Sequence, residues 1–522
     1  MSPMPKILVT EALGPEGLDY LRQHAEVDAH YLLDPVLLPE LMDHYDAVII
    51  RSAHRLTREL LTGHPRLRVV ARAGAGVDNV DLVAATELGI AVINAPGANA
   101  IAAAEHTFGL MLSVIRNIQK GDDHVRQGGW DRQAFLGREL HGRTLGIIGL
   151  GRVGREVARI ARGFGMPILA YDPYISDEIF KTHGALRAQT LEDLLPKSEV
   201  LTIHTPKTGP RLTYPLLKQL PKGAVVINAA RGGLMEEDAM DALLEEGHLY
   251  GVGMDVFNQE PPSRDFNMFR HPNVVMTPHL GGSTHEALAE VGIMTAKGVI
   301  SALNGNTPPN VVNVPIPPLE SDEFQALDQA AGVVGRIFAR AVNPAEGSLI
   351  LTLSGQIPES ASLWLRQRVL AAVLNERLDD RVNTVNALLK AEAQGLHMLI
   401  EEKFNPNNPA QLGLRWEGDP ESATEVWLTN HLPHLKKVRG IPLDLPWPDR
   451  ALMTWHHDAP GVVGKVGTLV GQYGINIANL HLGRRVQGQD ALMVLTLDAE
   501  VPQSLQSDVQ AIADIRQVFV FP

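Results

Sequence analysis

The 522-residue chain contains no cysteine, which excludes disulfide bonds, thiolate metal sites and a cysteine nucleophile. It also lacks any apolar run near the roughly 18 residues that a membrane-spanning helix requires. The N-terminus, MSPMPKILVTEA, has neither the charged nor the apolar region of a secretory signal. The formal net charge of −14 disfavours nucleic acid as a partner. We therefore expect a cytoplasmic protein with no membrane partner, no nucleic-acid partner and no metal site.

Short apolar segments alternate with helical patterns over the first three hundred residues. The strand candidates are β-branched and apolar on both faces, which is typical of parallel strands covered by helices. These candidates lie at 6–10, 47–50, 67–73, 144–150, 199–205, 224–230 and 273–279, and helices are predicted at 155–164 and 236–247. The alternation predicts a doubly wound α/β sheet.

Two proline-rich stretches, 307–318 and 440–448, are predicted to be linkers. The segment between them has a strand pattern at 348–355 and a helix pattern at 363–378, which indicates a mixed α+β domain. The segment after the second stretch has the order strand, helix, strand, strand, helix, strand. That order is typical of a ferredoxin-like domain.

A glycine-rich loop follows the apolar segment 144–148 and precedes a helical pattern. Its glycines, Gly149, Gly151 and Gly154, fit the G-x-G-x-x-G pattern of dinucleotide-binding loops. Such glycines allow a tight turn and let the backbone approach a pyrophosphate at the helix N-terminus. Asp172 follows the next strand, where a carboxylate accepts from the ribose hydroxyls and repels a 2′-phosphate. The loop therefore predicts NAD rather than NADP; the alternative is a glycine-rich turn with a surface aspartate.

Three polar motifs follow later strands of the same predicted sheet. Arg231 comes directly after 224–230, His279 ends the segment 273–279, and Glu260 lies between them in sequence. Because ligands bind beyond the carboxyl ends of parallel strands, we expect these side chains in one crevice. Histidine exchanges protons near neutral pH, a carboxylate fixes its tautomer, and arginine binds a carboxylate through a bidentate fork. Together they predict hydride-transfer chemistry on a 2-hydroxy or 2-oxo acid, although each residue alone is equally well explained as an ordinary loop residue.

At these motifs the chain resembles the D-isomer-specific 2-hydroxyacid dehydrogenase family. The resemblance is carried by RAGAGVDNVD at 72–81, LGIIGLGRVGREVA at 145–158, INAARGGLMEEDA at 227–239, MDVFNQEPP at 254–262 and TPHLGGST at 277–284. It implies that Arg231 binds and polarises the substrate, and that Glu260 and His279 form the acid–base pair. The implied contacts to NAD are Gly149, Gly151, Arg152, Val153, Gly154, Asp172, Thr205, Ala229, Asp255, Gly281 and Gly282.

Within this family the chain is similar to members that act on a phosphorylated substrate. The resemblance implies oxidation of 3-phospho-D-glycerate to 3-phosphooxypyruvate with NAD, which is the first step of L-serine biosynthesis. The implied substrate contacts are Arg51, Ser52, Arg72, Gly74 and, from a dimer partner, Arg132. Two arginines beside a phosphate supply charge-assisted contacts that a simple hydroxy acid does not need. His54 and Ala75 depart from the family pattern, because threonine is usual at both positions.

The C-terminal stretch 457–485 resembles an ACT domain, a module that binds amino acids at a dimer interface. The resemblance implies L-serine as a feedback effector, contacted by His456, Asp458 and Asn476. The helix start that follows Asp458 exposes backbone amides, which suits a carboxylate group. The alternative is a purely structural ACT domain that mediates assembly.

The resemblance predicts four domains and a homo-oligomer, either a dimer or a homotetramer. The domains are a flavodoxin-like substrate domain at 1–98 and 284–314, an inserted Rossmann-type dinucleotide domain at 99–283, an intervening domain at 319–447 and an ACT domain at 450–522. Two other functions stay open at this point. One is the reduction of another 2-oxo acid, such as glyoxylate, hydroxypyruvate or 2-oxoglutarate, and the other is an NAD-sensing binding protein without catalysis.

Overall fold

Two units make up the fold of the chain, which we describe from a computed structural model. One unit contains residues 1–81 and 92–310, and the other contains residues 82–91 and 311–522. The described residues are 4–31, 33–317, 321–342, 346–379, 381–448 and 450–521, apart from the side chains of Pro35 and Ser321. The predicted domain ends at residues 1, 319 and 522 and the linker end at 318 lie outside these ranges.

The N-terminal sheet of the first unit consists of short strands, of which the central ones are almost wholly buried. Its strands are β1 (Lys6–Val9), β2 (Glu26–Ala29), β3 (Ala47–Ile50), β4 (Val69–Arg72) and β5 (Ala91–Ile93). The helices of this stretch are α1 (Pro15–His24), α2 (Leu38–Met42), α3 (Arg58–Leu61) and α4 (Leu82–Glu87), the last of which belongs to the second unit. The strand order is β2-β1-β3-β4-β5, and β1 pairs in parallel with β2 and β3. This is the flavodoxin-like order, which confirms the predicted fold of the substrate domain.

The second sheet of the first unit has seven strands, all parallel. They are β6 (Leu145–Ile148), β7 (Ile168–Tyr171), β8 (Leu186–Arg187), β9 (Val200–Ile203), β10 (Ala224–Asn228), β11 (Leu249–Met254) and β12 (Val274–Met276). The helices are α5 (Ala100–Ile115), α6 (Ile118–Arg126), α7 (Arg152–Gly163), α8 (Asp177–Thr182), α9 (Leu191–Leu194), α10 (Tyr214–Leu217), α11 (Glu237–Glu245) and α12 (His285–Leu303). The strand order β12-β11-β10-β9-β6-β7-β8 reverses its direction between β6 and β9. Ligands bind at such a switch point in open α/β sheets, and the predicted Rossmann-type sheet is confirmed.

Helix α12 returns to the N-terminal sheet and packs against α1. The contact is close, because a Cβ atom at Gly17 would lie 2.4 Å from the backbone of Gly292. Arg68, just before β4, also donates from Nη1 to the carbonyl of Leu303 at 3.0 Å. The segment after residue 284 thus joins the N-terminal segment, as the discontinuous substrate domain requires.

The second unit begins with a six-stranded mixed sheet. Its elements are α13 (Ser321–Val342), β13 (Gly347–Gly355), α14 (Ser362–Asn375), α15 (Ala387–Ala393), β14 (Leu396–Phe404), β15 (Gln411–Trp416), β16 (Asp419–Thr429), β17 (Leu432–Val438) and β18 (Ile441–Pro446). The strand order is β14-β13-β15-β16-β17-β18, with β13 and β14 parallel and the other pairs antiparallel.

The prediction that 440–448 is a linker is wrong. Most of this stretch forms β18, in which Pro442 pairs with Lys437 and Pro446 pairs with His434 of β17. Proline removes a backbone donor, which a central strand does not tolerate and an edge strand does. Because β18 is the last strand of its sheet, it pairs with another strand of that sheet on one side only.

The remaining sheet has the order β20-β21-β19-β22, which confirms the ferredoxin-like prediction. Its elements are β19 (Ala451–His457), α16 (Val462–Gln472), β20 (Ile477–Arg484), β21 (Asp490–Leu497), α17 (Gln503–Gln510) and β22 (Ile515–Phe521). Both helices pack on one face of the sheet through fully buried side chains that include Leu452, Val466, Leu495 and Val509.

Each of the four sheets lies within one predicted domain, whose exact borders stay a prediction. Short 3₁₀ helices occur at Pro35–Leu37, Gln133–Phe135, Leu195–Lys197, Asn267–Arg270 and Glu359–Ala361. Among the described helices, none combines the length and the apolar composition that a membrane crossing requires.

Candidate active site

The glycine-rich loop connects β6 to α7 at the switch point of the seven-stranded sheet. Gly149 has a positive φ of 90°, and a Cβ atom there would lie 2.7 Å from the carbonyl oxygen of His204. A Cβ atom at Gly154 would lie 2.1 Å from the carbonyl oxygen of Gly149, so both positions exclude a side chain. Gly151 precedes α7 without a side-chain cap, and a Cβ atom there would meet open space. The loop therefore presents the start of a helix to a bound anion.

Two further features of this region fit a dinucleotide. The Asp172 carboxylate, just past β7, accepts from the amides of Leu150 at 2.9 Å and Tyr174 at 3.0 Å, which fixes it beside the glycine loop. The Thr205 hydroxyl is buried and has no hydrogen-bond partner among the described residues. Because a buried polar atom without a partner costs free energy, this hydroxyl suits a polar ligand. The residues thus fit the cofactor that the loop predicts.

A cleft of about 400 Å³ opens beside this loop. It is lined by residues that follow β4, β6, β9, β10, β11 and β12, together with the first turn of α5. The cleft brings together these predicted site residues: Val153, Thr205, Ala229, Arg231, Asp255, His279, Gly281 and Gly282. Its size is in the usual range for small-molecule sites, and it lies where the switch point places a ligand.

His279 and Glu260 form a hydrogen-bonded pair at the cleft. The imidazole Nδ1 lies 2.8 Å from Oε2 of Glu260, whose Oε1 accepts from the amide of Phe257 at 3.1 Å. Since a carboxylate only accepts, Nδ1 carries the proton, and Nε2 is left for a substrate. The side chains of His279 and Glu260 are 45% and 38% exposed, so a small molecule can reach them. The two residues predicted to form the acid–base pair are therefore in hydrogen-bonding contact, and their catalytic role stays a prediction.

The backbone of His279 has a positive φ of 56°, and the buried Asp255 holds the loop around it. One oxygen of Asp255 accepts from His106 at 3.1 Å, Thr277 at 2.6 Å and the amide of Leu280 at 2.7 Å. The other oxygen accepts from the amide of Gly281 at 2.8 Å. Burial raises the pKa of Asp255, but these hydrogen bonds outweigh it and lower the pKa below the ordinary value. The carboxylate thus stays ionised and anchors the loop that carries His279. The sequence predicts Asp255 only as a contact to the cofactor, so this anchoring is an additional role.

Arg231 is fixed in the cleft by an acidic residue that the motifs did not single out. Its Nε donates to Oδ2 of Asp78 at 2.9 Å, and its Nη1 donates to the carbonyl of Ala230 at 2.7 Å. A Cβ atom at Gly76 would lie 2.2 Å from Nη2, so a glycine is needed for the guanidinium to lie there. Asp78 belongs to the motif at 72–81, but the sequence does not show that its carboxylate pairs with Arg231. That pairing is seen only in the folded chain.

A second arginine, Arg72, is largely buried beside the first. A Cβ atom at Gly74 would lie 1.7 Å from its Nη1, so the predicted Gly74 makes room for the guanidinium. The Nε of Arg72 is buried without a hydrogen-bond partner in the described part of the chain. Burial first, and then the charges of Arg231 and Arg51, lower the pKa of Arg72. Arg72 is thus under the electrostatic influence of two other arginines, and such a local positive field is what an anionic substrate needs in an acidic protein.

The residues that line this cleft do not include any of the predicted substrate residues Arg51, Ser52, Arg72, Gly74 and Arg132. Arg132 is exposed and lies just before the 3₁₀ helix Gln133–Phe135. Ser52 is exposed next to Arg51, and both donate their backbone amides to Glu11.

The predicted effector residues lie in the ACT domain and have partners of their own. His456 is buried, with Nδ1 at 3.2 Å from the Thr454 hydroxyl, and burial lowers its pKa. Asp458 accepts from Arg484 at 2.8 Å, and Asn476 donates to Asp498 at 2.6 Å.

A single chain does not bring the three effector residues together. His456 pairs with Ala491 at one end of β21, whereas Ile477, next to Asn476, pairs with Leu497 at the other end. At about 3.3 Å per residue, the two ends are ~20 Å apart. One small effector therefore cannot contact all three within one copy.

This fold and site define a nicotinamide-dependent dehydrogenase of 2-hydroxy acids. Residues 108–281 match the family model described as D-isomer specific 2-hydroxyacid dehydrogenase, NAD binding domain, and residues 450–514 match the ACT domain model. A D-3-phosphoglycerate dehydrogenase of Synechocystis sp. is 33% identical over 99% of this chain and 94% of its own length. The chain belongs to the D-3-phosphoglycerate dehydrogenase family, which confirms the resemblance seen in its motifs.

Two other relatives agree with this assignment. A D-3-phosphoglycerate dehydrogenase of Methanocaldococcus jannaschii is 34% identical over 99% of both chains. The crystal structure of an NAD⁺-bound 3-phosphoglycerate dehydrogenase of Entamoeba histolytica is 28% identical, with a TM-score of 0.51, and covers 59% of this chain and 98% of its own.

Replacing Asp255 with asparagine should destabilise the protein by about 2–4 kcal/mol at pH 7, because four donors lose their charged acceptor. The folded-state pKa is lowered, so the advantage of the wild type is full above the ordinary aspartate pKa of about 4. It should disappear as the pH falls through the lower folded-state value. Urea midpoints measured at intervals from pH 7 down to pH 2 check this. Asp19→Asn, at an exposed site on α1, is the control, and equal shifts for both variants would contradict the role of Asp255.

Proposed function

We propose that this chain oxidises 3-phospho-D-glycerate to 3-phosphooxypyruvate with NAD, as the first step of L-serine biosynthesis in the cytoplasm. The observation that carries the proposal is the arginine cluster of Arg51, Arg72 and Arg231 next to the His279–Glu260 pair. The substrate has a carboxylate, a phosphate and a C2 hydroxyl. The site offers a counterpart for each of these groups.

The acid–base role belongs to His279. Its Nδ1 proton is held by Glu260, so Nε2 accepts the proton of the C2 hydroxyl as the substrate is oxidised. When bound, NAD supplies the acceptor for the hydride that leaves C2. In the reverse direction the imidazolium returns the proton to the carbonyl oxygen. Glu260 stabilises the imidazolium and keeps the ring oriented.

The two ends of the substrate are assigned to different arginines. Arg231 lines the cleft with His279, so it binds the carboxylate and polarises the oxygen at C2. Arg72 and Arg51 lie on the substrate-domain side and bind the phosphate. The mean field of a chain with a net charge of −14 repels such a substrate, and this cluster offsets that repulsion locally.

Asp172 supports NAD rather than NADP as the cofactor. Its carboxylate is fixed by two backbone amides and carries a negative charge where a 2′-phosphate would lie. Gly149, Gly151 and Gly154 place the pyrophosphate at the start of α7.

We further propose that L-serine binds the ACT domain between two copies of the chain. His456 and Asp458 lie at one end of the ACT sheet, and Asn476 lies at the other. An effector that contacts all three must therefore take Asn476 from a second copy. This favours a homo-oligomer, either a dimer or a homotetramer, over a monomer.

His279→Ala should lower turnover by about 10²- to 10⁴-fold, because the acid–base group is lost. Affinity for NADH, measured by fluorescence titration, should stay nearly unchanged. His285→Ala, at an exposed histidine at the start of α12, is the matched control and should retain activity. Loss of NADH binding in His279→Ala would instead assign a structural role to this residue.

Phosphorylated and unphosphorylated substrates should differ strongly in kcat/KM. We expect 3-phospho-D-glycerate to exceed D-glycerate by about 100-fold or more, since two charge-assisted contacts are lost without the phosphate. Steady-state rates on both compounds test this. Equal rates, or faster turnover of glyoxylate, hydroxypyruvate or 2-oxoglutarate, would contradict the phosphate site. Tight NADH binding without turnover on any of them would favour an NAD-sensing protein.

L-Serine should inhibit without competing with substrate, and Asn476→Ala should weaken the inhibition by about tenfold, the effect of losing roughly one hydrogen bond to a charged group. Inhibition curves and gel filtration of the same samples test both the effector and the assembly. Asn306→Ala, at an exposed asparagine of the first unit, is the control. A wild-type chain that is insensitive to serine would leave the ACT domain a structural role only.

A further inference from the structure

The loop that carries Arg51 and Ser52 is built around a partly buried negative charge. Three successive backbone amides, those of Arg51, Ser52 and Ala53, point at the carboxylate of Glu11 from 2.7, 3.1 and 3.2 Å. Such a run of amides is an anion-binding nest of the backbone. In this chain the anion is a side chain of the protein itself, two residues past β1.

His54 completes the surroundings of Glu11. It is 4% exposed, with Nδ1 at 3.3 Å from Oε1 of Glu11 and at 3.3 Å from the Thr10 hydroxyl, and Nε2 at 3.2 Å from the carbonyl of Leu33. The residue that departs from the family pattern therefore packs against the carboxylate rather than facing the substrate.

The carbonyl groups of the same loop are held from the other side. The side-chain amide of Asn79 donates to the carbonyls of Arg51 and His54, at 2.7 Å in each case. Glu11 thus takes the N–H groups of the loop while Asn79 satisfies its C=O groups. The loop is fixed in one conformation by two side chains that are far away in sequence.

Electrostatics gives Glu11 a second effect on the site. Burial raises its pKa, but the hydrogen bonds from the loop and from His54 outweigh this and lower it, so the group stays ionised. Its negative charge also favours the protonated form of Arg72, which is crowded by two other cations. One carboxylate therefore both shapes the loop and offsets the repulsion within the arginine cluster.

We propose that Glu11 is a positioning residue for phosphate recognition, which it serves by occupying the amide nest of residues 51–53 and aligning Arg51 beside Arg72. The proposal rests on the proposed function. It adds that the backbone amides of residues 51–53 already donate to Glu11 and are not available to the phosphate. The phosphate is therefore bound by the arginine side chains. Recognition by side chains alone makes the site depend on the alignment of two guanidinium groups.

The test is a comparison of Glu11→Gln with the wild type on two substrates. An amide has one acceptor and places donors against the loop, so Arg51 loses its alignment. We expect KM for 3-phospho-D-glycerate and the inhibition constant for inorganic phosphate to rise about tenfold or more. Turnover, NADH affinity and KM for D-glycerate should change less than about twofold. Glu11→Asp keeps the charge and should restore part of the affinity.

Glu16→Gln, at an exposed glutamate of α1, is the matched control and should leave every constant unchanged. Equal losses in turnover, NADH affinity and both KM values would overturn the proposal, because they would indicate general damage to the fold. An unchanged KM for the phosphorylated substrate would overturn it as well. If Glu11→Gln does not fold, Glu11→Asp is tested alone and should show a selective rise in KM for the phosphorylated substrate. An unchanged KM in Glu11→Asp would then overturn the proposal. A wild type without preference for the phosphorylated substrate would refute the proposed function itself, which is a separate outcome.

Discussion

The buried carboxylate of Asp255 is the interaction on which the catalytic site depends. It lies at the carboxyl end of β11 and gathers donors from the neighbouring strand end, the catalytic loop and helix α5. A charge buried in this way is stable only while its donors stay in place. The loop that carries His279, whose φ is positive, is therefore held on both sides of that residue by one ionised group.

A carboxylate also holds the neighbouring groups in place on the substrate side of the site. The guanidinium of Arg231 is held by Asp78, and the backbone of the Arg51 loop is held by Glu11. Two of the three arginines thus depend on an acidic residue for their placement. Each acidic residue adds to the negative charge that repels an anionic substrate. In this site Asp78 fixes the direction of the Arg231 guanidinium and Glu11 fixes the backbone that carries Arg51, and a preorganised cation loses less free energy on binding than a mobile one.

Much of the fold was predictable because local patterns determine it. The strands around Gly149, Arg231 and His279 are short apolar runs, and parallel strands bring their carboxyl ends to one edge. Asp78, Glu11 and His106 were not predictable as partners of the site, because each meets a group 40 or more residues away in sequence. The proline count of 440–448 suggested a linker, since sequence does not show that a segment will be an edge strand. The separation of His456 from Asn476 likewise depends on the order of the strands in the sheet. The βαββαβ pattern gives the order of elements along the chain, and the pairing of β19, β20 and β21 then places the two residues at opposite ends.

The prolines of β18 have a consequence for the behaviour of the protein in concentrated solution. An outer strand with free amides is a template on which a strand of another molecule can pair, and this is a common start of aggregation. Pro442 and Pro446 carry no amide hydrogen, so two of the positions along this border cannot donate to an incoming strand. At these two positions β18 is therefore a poor template for a strand of a neighbouring molecule.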